Sequence, residues 1–118
     1  MISPDIQVIN TTTNGSGVFA YRAFQPDEFI EFFAGFEIDH PTRYSVYLDG
    51  CHIEPTNGLK YLNHACAPNA RFKSRNLVAL RAIEPGEEIT INYKTTEEKL
   101  VCPFECQCGS PNCLGLIE

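Results

Sequence analysis

The chain has 118 residues, 43% of them apolar, with eight Phe and five Tyr, enough for one compact core in one domain. No apolar run approaches the roughly 20 residues needed to cross a bilayer, which predicts a soluble protein with no membrane partner. A formal charge of −6, from nine Lys and Arg against fifteen Asp and Glu, disfavours direct nucleic-acid contact and better suits a basic partner, although solubility alone also accounts for it.

Ile6 to Ile9 alternates weakly and reads as a first strand, with a polar loop over Asn10 to Asn14. Gly15-Ser16-Gly17, taken alone, reads as a loop leading into the strand-like Val18-Phe19-Ala20, and glycine there also permits close approach of backbone to a ligand. Gln25-Pro26-Asp27-Glu28 is turn chemistry, and Phe29 to Phe33 is an aromatic-rich strand ending near Gly35. Tyr44 to Leu48 and Cys51 to Glu54 flank Asp49-Gly50, a two-residue hairpin signal because that turn needs positive φ. Leu59 to Leu62 makes at most one helical turn. Ala70 to Lys73, Leu77 to Ala82 and the alternating Glu88 to Tyr93 are strand-like, and Thr95 to Leu100 is compatible with a short helix. The segments Arg22-Ala-Phe-Gln-Pro-Asp-Glu28 and Arg81-Ala-Ile-Glu-Pro-Gly-Glu87 echo one another and predict two similar strand-turn-strand corners, by duplication or by convergence on good turn chemistry. The fold class is mostly β.

Cys106, Cys108 and Cys113 lie within eight residues, and Cys66 offers a fourth thiol 40 residues before Cys106. Zn²⁺ prefers four ligands in a tetrahedron and binds cysteine as thiolate, so a tight cluster plus one distant ligand outlines a metal site. It would clip the C-terminus onto Asn63-His64. A disulfide framework is the alternative; the missing signal sequence after Met1 argues against an oxidising compartment and against secretion. Cys51 reads as a small buried hydrophobe and Cys102 as a loop thiol, the one substitute ligand.

Together Gly15-Ser-Gly-Val-Phe-Ala20, Asn63-His-Ala-Cys-Ala-Pro-Asn69, Gly86-Glu-Glu-Ile-Thr-Ile-Asn-Tyr93 and Cys106-Gln-Cys-Gly-Ser-Pro-Asn-Cys113 resemble, in order and approximate spacing, SET-domain protein lysine methyltransferases with a post-SET zinc motif. The resemblance covers almost the whole chain. It implies a β-clip type SET fold of small curved sheets with a C-terminal pseudoknot near Asn63-His64, a SET domain over 1–100 and a post-SET zinc-binding segment over 101–118. It also implies S-adenosyl-L-methionine and zinc as cofactors. Gly15, Ser16, Gly17, Lys60, Asn63 and His64 would line the S-adenosyl-L-methionine pocket, with Lys60 where the family often has Arg. Cys66, Cys106, Cys108 and Cys113 would bind the metal. Tyr93 falls where the family places its catalytic tyrosine, and Tyr44 matches a second tyrosine of the lysine channel, with Tyr47 as its competitor because the register is unanchored.

The chain departs from the family pattern at Ala65, where a hydroxyl residue often follows Asn-His, and at Ile91, where a Phe or Tyr often tunes the number of methyl groups added. The segment between Tyr44 and Asn63 is short, and within this chain no cysteine-rich, pre-SET-like segment is expected ahead of the domain. The expected function is S-adenosyl-L-methionine-dependent protein lysine N-methyltransfer to a basic tail, histone or histone-like, with a ribosomal or nucleoid protein equally suited by charge. The expected location is the cytoplasm, or the nucleus in a eukaryote. The alternatives are a non-catalytic SET-like module that binds a protein tail, and a plain zinc-stabilised β domain. Homodimerisation would complete a small substrate surface, but no long apolar stripe demands it.

Overall fold

Strand β1 (Ile6–Thr11) runs antiparallel to β2 (Gly15–Ala20), in register from Ile6 opposite Ala20 to Thr11 opposite Gly15. The computed structural model describes residues 4–11, 15–96, 104, 105, 113 and 115–117. Three short strands follow: β3 (Phe29–Phe32), β4 (Gly35–Ile38) and β5 (Val46–Leu48). Next come β6 (Cys51–Pro55), a 3₁₀ turn over Gly58–Tyr61 and the two-residue β7 (Asn63–His64). Strands β8 (Ala70–Lys73), β9 (Asn76–Ala79) and β10 (Glu88–Ile91) precede a second 3₁₀ turn over Tyr93–Thr95. Finally β11 (Phe104–Glu105) pairs with β12 (Leu116–Ile117). The larger sheets are ordered β1-β2-β10-β7, β3-β9-β8 and β4-β6-β5.

The two echoing corners pair with each other. Phe24 and Ile83 exchange backbone hydrogen bonds, both at 2.9 Å, as an isolated bridge between the two segments. In each corner the glutamate four residues past the bridge caps the turn, Glu28 accepting from Gln25 N–H at 2.9 Å and Glu87 from Glu84 N–H at 3.1 Å. Asp27 (φ 67°) and Gly86 (φ 86°) supply the same left-handed residue. An arginine then clamps each capping glutamate at 2.8 Å, Arg22 on Glu28 and Arg81 on Glu87. The strands that leave the corners are equivalent too: Phe29 faces Val78, and Glu88 faces Phe19. The repeated turn chemistry therefore builds two interlocked strand-turn-strand units. Phe24, Ile83, Val18, Leu77, Ile89 and Phe33 are buried in one common core. Each such side chain contributes roughly 1.5–3 kcal/mol of burial free energy.

Several local expectations change. Gly15-Ser16-Gly17 is strand rather than loop, because β1 extends through Thr11 and supplies its partners. Gly35 does not end a strand but begins β4, which pairs with β6. The Asp49-Gly50 hairpin forms with φ of 53° and 81°, joining Leu48 to Cys51 as the sequence demands. Strand β10 stops at Ile91, so Tyr93 belongs to the following 3₁₀ turn rather than to the strand end. Thr95 closes that turn, and the remainder of the helix expected to Leu100 falls mostly outside the described residues.

Candidate active site

The site is assembled where β7 lies parallel to β10, with Asn63 opposite Thr90 and His64 opposite Ile91. Ala65 N–H continues the pairing by donating to Ile91 C=O at 2.9 Å. Two residues make a weak strand, so the loop after it needs an anchor. Asn69, 2% exposed, supplies it: Oδ1 accepts from Thr90 N–H at 2.8 Å, while Nδ2 donates to Glu88 C=O at 2.7 Å and to Glu87 Oε2 at 3.1 Å. Alternation along β10 buries Ile89 and Ile91 and turns Glu88 and Thr90 the other way, toward the two asparagines.

Asn63 links this strand pair to the glycine segment. Its Nδ2 donates to Ser16 C=O at 2.9 Å and to Glu88 Oε2 at 2.8 Å, which uses both amide protons. Strand β2 pairs with β10 only at Val18 and Phe19, so the Gly15–Gly17 stretch is paired to β1 on one side and bordered on the other by the Asn63 amide. A Cβ on Gly17 would lie 2.5 Å from Glu88 Oε2 and 3.1 Å from Asn63 Nδ2. Gly15, at φ 69°, has open space where a Cβ would stand. Glycine is needed at position 17 for room and at position 15 for conformation.

His64 and Tyr93 form the second half. Nδ1 of His64 accepts from the Tyr93 backbone N–H at 3.0 Å, so the ring proton belongs on Nε2, 3.3 Å from Cys66 Sγ. Burial lowers the His64 pKa and keeps the ring neutral. The Tyr93 ring packs edge-on against His64 with centroids 5.3 Å apart, and its hydroxyl donates to Leu62 C=O at 2.6 Å. Burial first, and the nearby Glu88 carboxylate second, push the phenol pKa up to about 12. Tyr44 and Arg43 lie near enough for their charges to act on the same phenol.

Tyr44, 40% exposed, stands between two cations: the Arg43 guanidinium 5.6 Å and the Lys60 ammonium 5.5 Å from its ring centre. Lys60 also lies 5.1 Å from the Tyr61 ring, so its ammonium faces the tyrosines. Tyr47 packs instead on His52, with centroids 4.9 Å apart, on the other hairpin arm. Cys66 is buried and Cys113 half-buried; Cys106 and Cys108 lie outside the described residues. Among the described residues no three His, Cys, Asp or Glu side chains converge as a metal site. The Nε2–H aimed at Cys66 fits a thiolate at that position, since a sulfur bearing charge accepts such a bond. A glycine backbone beside an asparagine amide and a neutral imidazole likewise fits a polar organic cofactor. Glu88, Asn69 and Arg43 are the site residues that the sequence did not single out. The alternating Glu88-Ile89-Thr90-Ile91 strand marks Glu88 as a polar-face residue but not as a site residue, and Asn69 closes the Asn63–Asn69 motif.

The SET domain family model matches residues 15–94, and the chain belongs to the SET-domain family. Methyltransferase flvH of Aspergillus flavus is 42% identical over 72 residues, covering 58% of this chain and 40% of that protein. Histone-lysine N-methyltransferase mes-4 of Caenorhabditis elegans is 28% identical over 156 residues, covering 99% of this chain and 17% of that one. The chain thus spans 40% or less of the length of these two relatives. The solved structure of KRYPTONITE in complex with mCHH DNA, H3(1-15) peptide and SAH superposes with a TM-score of 0.76 at 20% identity, covering 96% of this chain and 29% of that one. The likeness supports the expected mostly β SET fold of small sheets.

Proposed function

We propose that this chain is an S-adenosyl-L-methionine-dependent protein lysine N-methyltransferase that acts on a basic protein tail, histone or histone-like. The observation that carries the reading is the meeting of Gly15–Gly17, Asn63, His64 and Tyr93 at the β7–β10 crossing. Family membership, relatives named as methyltransferases, and a neighbour solved with an H3 peptide and SAH all support it. The formal charge of −6 favours a basic partner. In a eukaryote such an enzyme would work in the nucleus. Among the described residues, no helix is long and apolar enough to cross a membrane.

S-adenosyl-L-methionine, when bound, supplies a methyl group activated by a sulfonium. Gly15, Ser16 and Gly17 would hold it through their backbone, with Asn63 and His64 opposite and Lys60 at the margin. Tyr93 orients the target amine. Its hydroxyl proton is committed to Leu62 C=O and its pKa is near 12, so at neutral pH it stays protonated and offers the amine an oxygen lone pair. It is therefore not the base. The lysine, with an ordinary pKa of about 10.4, must lose its proton before attack, and an apolar aromatic channel beside the cations Arg43 and Lys60 favours the neutral amine. Tyr44 forms the near wall of that channel. Alignment then carries the rate.

The 101–118 segment completes the reading as the post-SET element, with Cys66, Cys106, Cys108 and Cys113 as zinc ligands closing the tail over the pocket. The decisive experiment incubates the metal-loaded protein with methyl-labelled S-adenosyl-L-methionine and a mixture of basic proteins, then maps the label. Label on lysine is the expected result. Binding without transfer would favour a non-catalytic tail-binding module, and neither would leave a zinc-stabilised β domain.

A further inference from the structure

We propose that Glu88 is a positioning residue of the cofactor pocket, its carboxylate occupying the space left by the missing side chain of Gly17 and fixing the orientation of the Asn63 amide. The proposal rests on the cofactor reading above and adds a residue to it. An asparagine amide can flip, exchanging Oδ1 and Nδ2 at little cost unless its neighbours discriminate. Here both neighbours are acceptors: Ser16 C=O at 2.9 Å and Glu88 Oε2 at 2.8 Å. A flipped amide would set Oδ1 against two oxygens, so Oδ1 is left as the acceptor that a ligand donor can use.

Glu88 is itself held in place. Its backbone pairs with Phe19 of β2, and its carbonyl accepts from buried Asn69. The carboxylate sits where any side chain at position 17 would stand, 2.5 Å from the missing Cβ. Gly17 and Glu88 therefore form a size-matched pair. The carboxylate also carries the negative charge that acts on Tyr93, which connects the cofactor side of the site with its amine side. With no acceptor oxygen at 88, cofactor affinity and the hold on the Asn63 amide change together; a purely structural residue would move neither once the protein is folded.

The test compares Glu88→Ala, Glu88→Gln and Gly17→Ala with the unmodified metal-loaded protein. Calorimetry measures S-adenosylhomocysteine affinity, and NMR follows exchange of the Asn63 side-chain amide protons. Loss of one charge-assisted hydrogen bond predicts about a tenfold to hundredfold weaker affinity in Glu88→Ala, with faster Asn63 amide exchange. Glu88→Gln keeps an acceptor oxygen of the same reach and should recover most of both. Gly17→Ala, which displaces the carboxylate without removing it, should reproduce the Glu88→Ala pattern. Unchanged Asn63 exchange in Glu88→Ala would overturn the proposal even if the cofactor reading stands. If the unmodified protein binds no S-adenosylhomocysteine, the cofactor reading fails, while the amide exchange still judges the Glu88 contact.

Discussion

Replacing Tyr93 by Phe removes one oxygen and leaves the ring against His64, so its two consequences can be computed separately. The first is structural. The hydroxyl donates to Leu62 C=O at 2.6 Å, and Leu62 is only 5% exposed, so the carbonyl loses a partner that water cannot easily replace. A net hydrogen bond of about 1 kcal/mol corresponds to a fall in Tm of about 4 °C for a domain of this size. The second is chemical. If the oxygen lone pair orients the amine, its loss removes a hydrogen bond to a group on its way to carrying charge, about 1.5–3 kcal/mol, or roughly tenfold to somewhat over a hundredfold in kcat. S-adenosylhomocysteine affinity should stay within about threefold, because the Asn63 contacts and the His64 ring are untouched. The assay is transfer of labelled methyl at saturating cofactor, beside calorimetry and a thermal melt. A variant with the expected drop in Tm but unaltered turnover would refute the assigned role of the hydroxyl.

Three further outcomes follow from the same geometry. Asn69→Ala strips partners from Thr90 N–H and Glu88 C=O, at about 1–3 kcal/mol each, and should lower Tm by on the order of 10 °C in a scan; a change of a degree or two would show that Asn69 does not anchor the β7–β10 crossing. The raised phenol pKa of Tyr93 means that the folded state favours the protonated hydroxyl. Its contribution to stability is full below the unfolded value near 10 and is lost as pH climbs through about 12. The Tm advantage over Tyr93→Phe should accordingly shrink across that window, and a constant gap would contradict it. Cys108→Ser should release zinc, measured by elemental analysis; an unchanged metal content would transfer the ligand role to Cys102 or favour disulfides.

The sequence disclosed the features set by local chemistry. Asp49-Gly50 announces its hairpin because two consecutive residues must take positive φ, and they do. The paired Arg-to-Glu corners were readable because capping glutamate, turn residue and clamping arginine are all close in the chain. What remained hidden depends on distant partners. Gly15-Ser16-Gly17 has the composition of a loop and becomes strand because Ile9, Asn10 and Thr11 lie opposite. Asn63-His64 is too short to show any period, and its strand character comes from Thr90 and Ile91. The motif containing Asn63 and His64 could be read as a candidate site, yet Glu88 could not, since its contact with that site depends on the missing side chain of Gly17, on a strand far away in sequence. Likewise Tyr44 and Tyr47 were indistinguishable until the hairpin register set one beside Lys60 and the other on His52.

The central claim is that the crossing of β7 and β10 beside the glycine strand forms a pocket for S-adenosyl-L-methionine. Isothermal titration of the metal-loaded protein with S-adenosylhomocysteine tests it most directly. The expected result is saturable binding of one ligand per chain, weakened by Glu88→Ala and retained in Tyr93→Phe. Absence of any binding heat and of any ligand-induced rise in Tm, from folded protein supplied with zinc, would contradict the account.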